Sequence, residues 1–393
     1  MSSHNVPRPR HPRTKDQREH ELQKIQQYKD LEQRLRQRTT NSLYDRTTFH
    51  LSSKLLRINP ENYTIWNVRR CCLSSFILSS VNQSAKLEQF VNHELPSSQA
   101  AGQQRDAIRE TEGSSSTQIT ATGNSTCGDE EIIRSELKFT IPLLMEFPKC
   151  YWLWKYRSWI LMQAIERLSA VVSRTVWEEE LELVTMMLHR DRRNFHAWDY
   201  RRHVVAQLEA SKLGGTSMTE AEFAFTTDMI KWDLSNFSAW HSRSQLIPRL
   251  LDERDADVGA RKAFLEQELA TVHEALNVGP EDQSLWYYHR YLIHAILGAH
   301  GQGLIVRDFS TQNRQKYLEE EVAFIKDLLE DYVDIKWIYE ALVEYTLTAS
   351  MLTNDGHRRT SQPLMSVWLK KLRELDTNRT GRWDELEKQI KVD

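Results

Sequence analysis

Cysteine is scarce in this chain. Four occur in 393 residues, Cys71, Cys72, Cys127 and Cys150, with no Cys-x-x-Cys pair among them. That excludes a disulfide framework and a zinc finger, and fits a reduced, intracellular protein. An excess of one charge is also missing. The 52 basic and 55 acidic residues leave a net charge of −3, so nothing global draws the chain to nucleic acid. Long apolar runs are absent too. The opening Met-Ser-Ser-His-Asn-Val-Pro-Arg-Pro-Arg has charge without an apolar stretch, unlike a secretory signal. The uncharged stretch from Cys71 to Ala85 is polar and too short to span a bilayer, so no transmembrane segment and a cytoplasmic location are expected.

Catalytic signatures are equally thin. There is no Gly-rich phosphate loop, no nucleophile elbow and no paired-carboxylate pattern. Histidines do not fall at metal-ligand spacing. His196 and His203 share a helix face, His289 and His294 do not, and no His-Glu-x-x-His occurs. No metal is expected on this chain, whose residue types alone describe a scaffold.

What the chain has is tryptophan in register. Five segments carry Trp with a cationic or imidazole residue three positions later: Asn-Tyr-Thr-Ile-Trp66-Asn-Val-Arg69, Cys-Tyr-Trp-Leu-Trp154-Lys-Tyr-Arg157, Asn-Phe-His-Ala-Trp198-Asp-Tyr-Arg201, Asn-Phe-Ser-Ala-Trp240-His-Ser-Arg243 and Asp-Gln-Ser-Leu-Trp286-Tyr-Tyr-His-Arg290. The tryptophans stand 88, 44, 42 and 46 residues apart, and the first gap is one period with an insertion. A period of this length marks a helical array whose units bury their apolar faces on one another.

An amphipathic helix precedes each tryptophan helix: Glu179 to His189, Glu220 to Trp232, and Arg261 to Leu276. Asn59-Pro60, Phe147-Pro148, Asp233 and Gly279-Pro280 supply turn and capping chemistry between the two helices. The expected fold is all-α, a right-handed α-α superhelix (solenoid) of helix-hairpin repeats. Three regions follow. Residues 1–40 are a basic segment and an amphipathic helix, with Leu22, Ile25, Tyr28, Leu31 and Leu35 at helical spacing. Residues 41–295 hold the five repeats, interrupted at about 96–129 by a Ser/Thr/Gly/Gln-rich stretch that reads as a disordered insertion. Residues 296–393 read as degenerate C-terminal repeats, built from 319–329 with 333–352 and from 364–375 with 383–390.

Trp and the residue at +3 lie on one helix face. The residue at −3 is aromatic in four units: Tyr63, Tyr151, Phe195 and Phe237. The expectation is an apolar ridge wedged between hairpins, with the cation reaching carbonyls or an aromatic of the neighbouring unit. The candidate interface residues are therefore Trp66, Arg69, Trp154, Arg157, Trp198, Arg201, Trp240, Arg243, Trp286 and Arg290.

The wording of three repeats is more specific than their spacing. Pro148-Lys149-Cys150-Tyr151-x-x-Trp154-x-x-Arg157, Asn194-Phe195-His196-Ala197-Trp198-Asp199-Tyr200-Arg201-Arg202 and Asn236-Phe237-Ser238-Ala239-Trp240-His241-Ser242-Arg243-Ser244 closely resemble the α subunit of protein prenyltransferases. The likeness covers roughly residues 15 to 295. The third repeat and Asp282-Gln283-Ser284-Leu285-Trp286 look like the Rab geranylgeranyltransferase (type II) α subunits, in a compact form without immunoglobulin-like or leucine-rich domains. In relatives that prenylate Cys-a-a-X sequences, a Gln that contacts the peptide carboxylate follows the second-repeat Tyr. Trp152 stands there in this chain.

The resemblance implies a heterodimer with a β subunit that carries the catalytic zinc and the lipid pocket, and none on this chain. It implies geranylgeranyl diphosphate as donor, and Rab GTPases presented by a Rab escort protein as acceptors. It implies that Lys149 contacts the diphosphate, and that Tyr151, Asn194 and His196 face the substrate, with Phe195 in place of the tyrosine of farnesyl enzymes. The alternatives are the α subunit of farnesyltransferase / geranylgeranyltransferase type I and a non-enzymatic helical-repeat scaffold.

Overall fold

The computed structural model describes residues 15–77, 123–298, 305–306, 308–352 and 356–391, and every regular element among them is helical. The chain divides into two compact units, Met1–His189 with His196–Thr216, and Arg190–Phe195 with Ser217–Asp393. The first fourteen residues and 96–122 of the expected insertion lie outside the described residues.

The first unit opens with α1 (Lys15–Thr40), which packs on the hairpin of α2 (Arg46–Ile58) and α3 (Tyr63–Ile77). Only the second half of its stripe is used. Leu35 is buried, while Leu22 and Ile25 are exposed. The Tyr28 hydroxyl accepts from Asn62 Nδ2 at 3.1 Å. Next come α4 (Gly123–Glu146) with α5 (Tyr151–Arg167), then α6 (Ala170–Arg190) with α7 (Phe195–Leu208). Helix α4 begins at Gly123, inside the segment read as a loop. Its first turns are Gly, Asn, Ser and Thr, weak helix formers that hide the start until the apolar period sets in at Ile132.

The second unit repeats the theme. Its hairpins are α8 (Thr219–Trp232) with α9 (Phe237–Glu253), α10 (Val258–Val278) with α11 (Gln283–Leu297), α12 (Thr311–Asp331) with α13 (Lys336–Leu352), and α14 (Gly356–Leu375) with α15 (Thr380–Lys391). Within it α9 also packs on α11, and α11 on α13. Asp45, Asn236, Asp257, Asp282 and Ser310 cap their helices, each side chain accepting a first-turn backbone N–H.

Candidate functional site

All five repeat tryptophans are buried. The indole Nε1 donates to the carbonyl six residues earlier in the turn, as Trp66 does to Pro60 at 2.8 Å, Trp154 to Pro148 at 2.9 Å, Trp240 to Leu234 at 2.8 Å and Trp286 to Pro280 at 2.7 Å. The indole therefore folds back over the turn and locks the hairpin. Its face meets the next hairpin, where a tyrosine packs on it: Tyr156 on Trp66 with centroids 4.5 Å apart, Tyr200 on Trp154 at 4.9 Å, and Tyr288 on Trp240 at 4.6 Å.

The arginines at +3 end in a polar joint whose acceptor is a carboxylate. Arg69 forks onto Glu136, Arg157 onto Glu180 and Arg243 onto Glu268, each glutamate lying on the first helix of the following hairpin. Each arginine's Nη1 also reaches a hydroxyl on its own first helix. Arg69 takes Ser53 at 2.7 Å, Arg243 takes Thr227 at 2.7 Å, and Arg157 takes Thr140. Arg201 likewise reaches Thr185 at 2.7 Å. The tyrosine at Trp +2 completes the joint, with Tyr156 donating to Glu136 at 2.6 Å and Tyr200 to Glu180 at 2.7 Å. Burial, and then the neighbouring carboxylate, push both phenols well above their ordinary range, so they stay protonated donors.

Reasoning from the sequence missed these glutamates, though a signal exists. Glu136, Glu180, Glu222 and Glu268 each stand eighteen residues before the tryptophan of their repeat (154, 198, 240 and 286). Thr48 holds that register before Trp66 and accepts from Arg38 Nε of α1 at 2.9 Å. The N-terminal helix thus takes the place of a preceding repeat.

In the fifth repeat Arg290, read as its interface residue, is half-buried and reaches Glu344 on α13 of the following hairpin at 3.0 Å. The place of the arginines is taken by His289, which is fully buried. Its Nε2 lies 2.6 Å from Glu321, and Glu321 stands eighteen residues before Tyr339. Tyr339 acts for the missing tryptophan, donating its hydroxyl to Val333 six residues earlier at 2.7 Å. Beyond it the polar joint ends. Leu342 and Met365 occupy the arginine and glutamate registers, and both are buried.

The aromatics at −3 correct one expectation. Tyr63, Tyr151, Phe195 and Phe237 are about half exposed and do not wedge between hairpins. Three residues turn a helix by about 300°, so they sit some 60° away from the tryptophan. At the first helical turn that rotation carries them outward. In the first unit they join a surface cluster. Trp152 lies 5.3 Å from Tyr63 and 5.1 Å from Tyr151, whose ring is 6.3 Å from His196. In the second unit Phe237 meets Tyr287 at 5.9 Å.

Lys149 projects from the turn before α5, exposed and without a carboxylate partner among the described residues. Burial first, and then the charge of Lys149, lower the His196 imidazole, while Asp199 and Glu61 oppose them. Lys149 thus acts on His196 through its charge, and Tyr151 lies beside His196 through its ring. Asn194 does not present its side chain there. It is 2% exposed just ahead of α7, in the register that Asn236 holds ahead of α9. There Asn236 caps Ala239 and donates to the Arg192 carbonyl at 2.9 Å. Lys149, Tyr151 and His196 hold no convergent set of metal ligands. Among the described residues that arrangement occurs at His273, His289 and Glu321.

The repeat frame matches the protein prenyltransferase alpha subunit repeat at residues 46–76, 133–164, 177–208, 219–250 and 265–296. Geranylgeranyl transferase type-2 subunit alpha of Dictyostelium discoideum is 32% identical over 335 residues, covering 84% of each chain. This chain belongs to the protein prenyltransferase α subunit family. The type-2 subunit alpha of Schizosaccharomyces pombe is 28% identical over 95% of this chain and 93% of its own. That of Mus musculus is 30% identical over 69% of this chain but only 38% of its own, so the mouse relative is much longer than the shared region. A solved structure described as Candida albicans protein geranylgeranyltransferase-I complexed with GGPP shares the fold, with a TM-score of 0.56 and 18% identity over 93% of this chain and 91% of that one. Among the described residues of this family member, no helix is long and apolar enough to cross a membrane.

Proposed function

We propose that this chain is the α subunit of a cytoplasmic, heterodimeric protein geranylgeranyl transferase of type 2. The complex moves a geranylgeranyl group from its diphosphate to C-terminal cysteines of Rab GTPases presented by an escort protein. The observation that carries the reading is that relatives matching nearly the whole chain bear the name of that one enzyme's α subunit. The aromatic cluster in which Tyr63 and Tyr151 stand about half exposed around the partly buried Trp152 supports it, because aromatic side chains left half in water are the usual anchors of a protein partner.

In this reading the carbon–sulfur bond to the substrate cysteine forms as the carbon–oxygen bond to the diphosphate breaks. The partner's zinc, when bound, lowers the pKa of the cysteine thiol. This chain's part is electrostatic. Lys149, unpaired and exposed, meets the negative charge that grows on the departing diphosphate. His196, held below its usual range, is a neutral hydrogen-bonding group beside it at neutral pH.

The test is co-expression with a candidate β subunit, followed by transfer from labelled geranylgeranyl diphosphate. An escorted Rab should be labelled and a Cys-a-a-X peptide should not. Labelling of the peptide instead would point to a farnesyl or type I enzyme. Failure to form any complex would leave a helical scaffold.

A further inference from the structure

The joint after the fifth hairpin differs from the others in one chemical respect. Where they use a guanidinium, this one brings two imidazoles to a single oxygen. His289 Nε2 from α11 and His273 Nε2 from α10 lie 2.6 and 2.8 Å from Glu321 Oε2 on α12. A carboxylate buried this deeply (4% exposed) needs a positive partner. Arginine supplies that charge at any working pH, whereas an imidazole supplies it only when protonated. Two ring nitrogens and a carboxylate oxygen, all within 4.8 Å of one another, are also the donor set that zinc prefers.

We propose that His273, His289 and Glu321 bind a divalent transition-metal ion of the zinc class, which fastens the fifth hairpin to the sixth. Groups that would orient the ligands are already in place. His289 Nδ1 is 3.0 Å from the Tyr345 hydroxyl, and the His273 ring stacks on Phe324 with centroids 3.9 Å apart. His289 is sealed while the His273 side chain is 23% exposed, so an ion enters past His273. With the ion bound, His289 carries its proton on Nδ1 and donates it to the Tyr345 oxygen. The ligand atoms now stand at hydrogen-bond distance. A tetrahedral ion with bonds of about 2.0–2.1 Å spreads its ligands to about 3.3 Å, so the Glu321 carboxylate must withdraw by about half an ångström. Three protein ligands leave the fourth position to water.

The experiment uses the full chain, stripped with chelator and titrated at neutral pH with Co²⁺, whose tetrahedral complexes absorb in the visible. The expected result is one ion per chain, a visible band, and a higher unfolding temperature with Zn²⁺. His273→Ala, at a partly exposed position where folding is easily checked by circular dichroism, should lose all three. Glu321→Gln should weaken binding on the order of tenfold to a hundredfold or more. The proposal is overturned if both variants titrate like the parent chain, which would place the ion on surface histidines. It is equally overturned if no ion binds and the joint is strengthened only by lowering the pH, which would make protons the source of the charge.

Discussion

Arg69 and Glu136 meet in a two-pronged bond, Nε to Oε2 and Nη2 to Oε1 both at 2.7 Å, with neither side chain open to solvent. The guanidinium lies between two phenyl rings, 3.8 Å from the Phe49 centroid and 4.2 Å from that of Phe139. Desolvating two charges offsets most of their attraction, so such a pair adds little stability over an apolar one. What it adds is register. A fork that fits only one carboxylate position aligns each hairpin on the next, which a smooth apolar face does not.

Removing one partner should therefore be far worse than removing both. Glu136→Ala leaves the Arg69 charge buried without its fork and should cost about 3–5 kcal/mol of stability. The double change Arg69→Met with Glu136→Leu should recover most of that loss in urea unfolding. A double variant as unstable as the single would show that the pair stabilises in its own right.

Tyr156 separates packing from polarity in the same joint. Tyr156→Phe keeps the ring on Trp66 but deletes the hydroxyl that donates to Glu136 at 2.6 Å. A loss of about 1–3 kcal/mol is expected, because one acceptor site of a buried carboxylate goes unfilled. No change in the unfolding midpoint would remove the phenol from the network.

The surface cluster should matter to assembly and not to folding. Trp152→Ala takes an indole from between Tyr63 and Tyr151 without opening the core. Affinity for the β subunit should fall by about tenfold or more, the cost of an aromatic anchor, with the chain's own unfolding temperature unchanged. Sedimentation or calorimetry on the purified subunits reads this directly. Undiminished affinity would place the partner on another face.

Lys149→Ala should leave the heterodimer assembled and slow prenyl transfer by about tenfold to a hundredfold, less than the loss of an enclosed donor because Lys149 is solvated. The fall belongs in kcat. A KM effect alone would make the lysine a docking charge.

Much of this was legible in the residues, and what was not has a physical cause. The tryptophan period and the hairpins were readable because an amphipathic helix prints its 3.6-residue pattern locally. Glu136, Glu180 and Glu268 escaped because their partners are on another hairpin, and only the fixed offset to the tryptophan betrays them. Asn194 holds the register of the capping Asn236, and its burial, at 2% exposed, comes from packing that its local sequence does not print. His289 was visible at +3, yet nothing local links it to His273 and Glu321, which arrive on two other helices.

Lys149 and His196 also make a prediction about each other. Burial is the main reason that the His196 imidazole sits below its ordinary 6.5, and the Lys149 charge adds to the lowering against Asp199 and Glu61. A histidine with a depressed folded value binds fewer protons folded than unfolded. The fold therefore loses stability as the pH falls below about 6.5 towards that depressed value, and regains none at lower pH. In an NMR titration of the free chain, His196 should turn over below 6.5. Lys149→Ala should move the midpoint upward but not back to 6.5, since burial remains. An unmoved midpoint would separate the two side chains electrostatically, and would take away the neutral imidazole as a partner to the lysine at the leaving group.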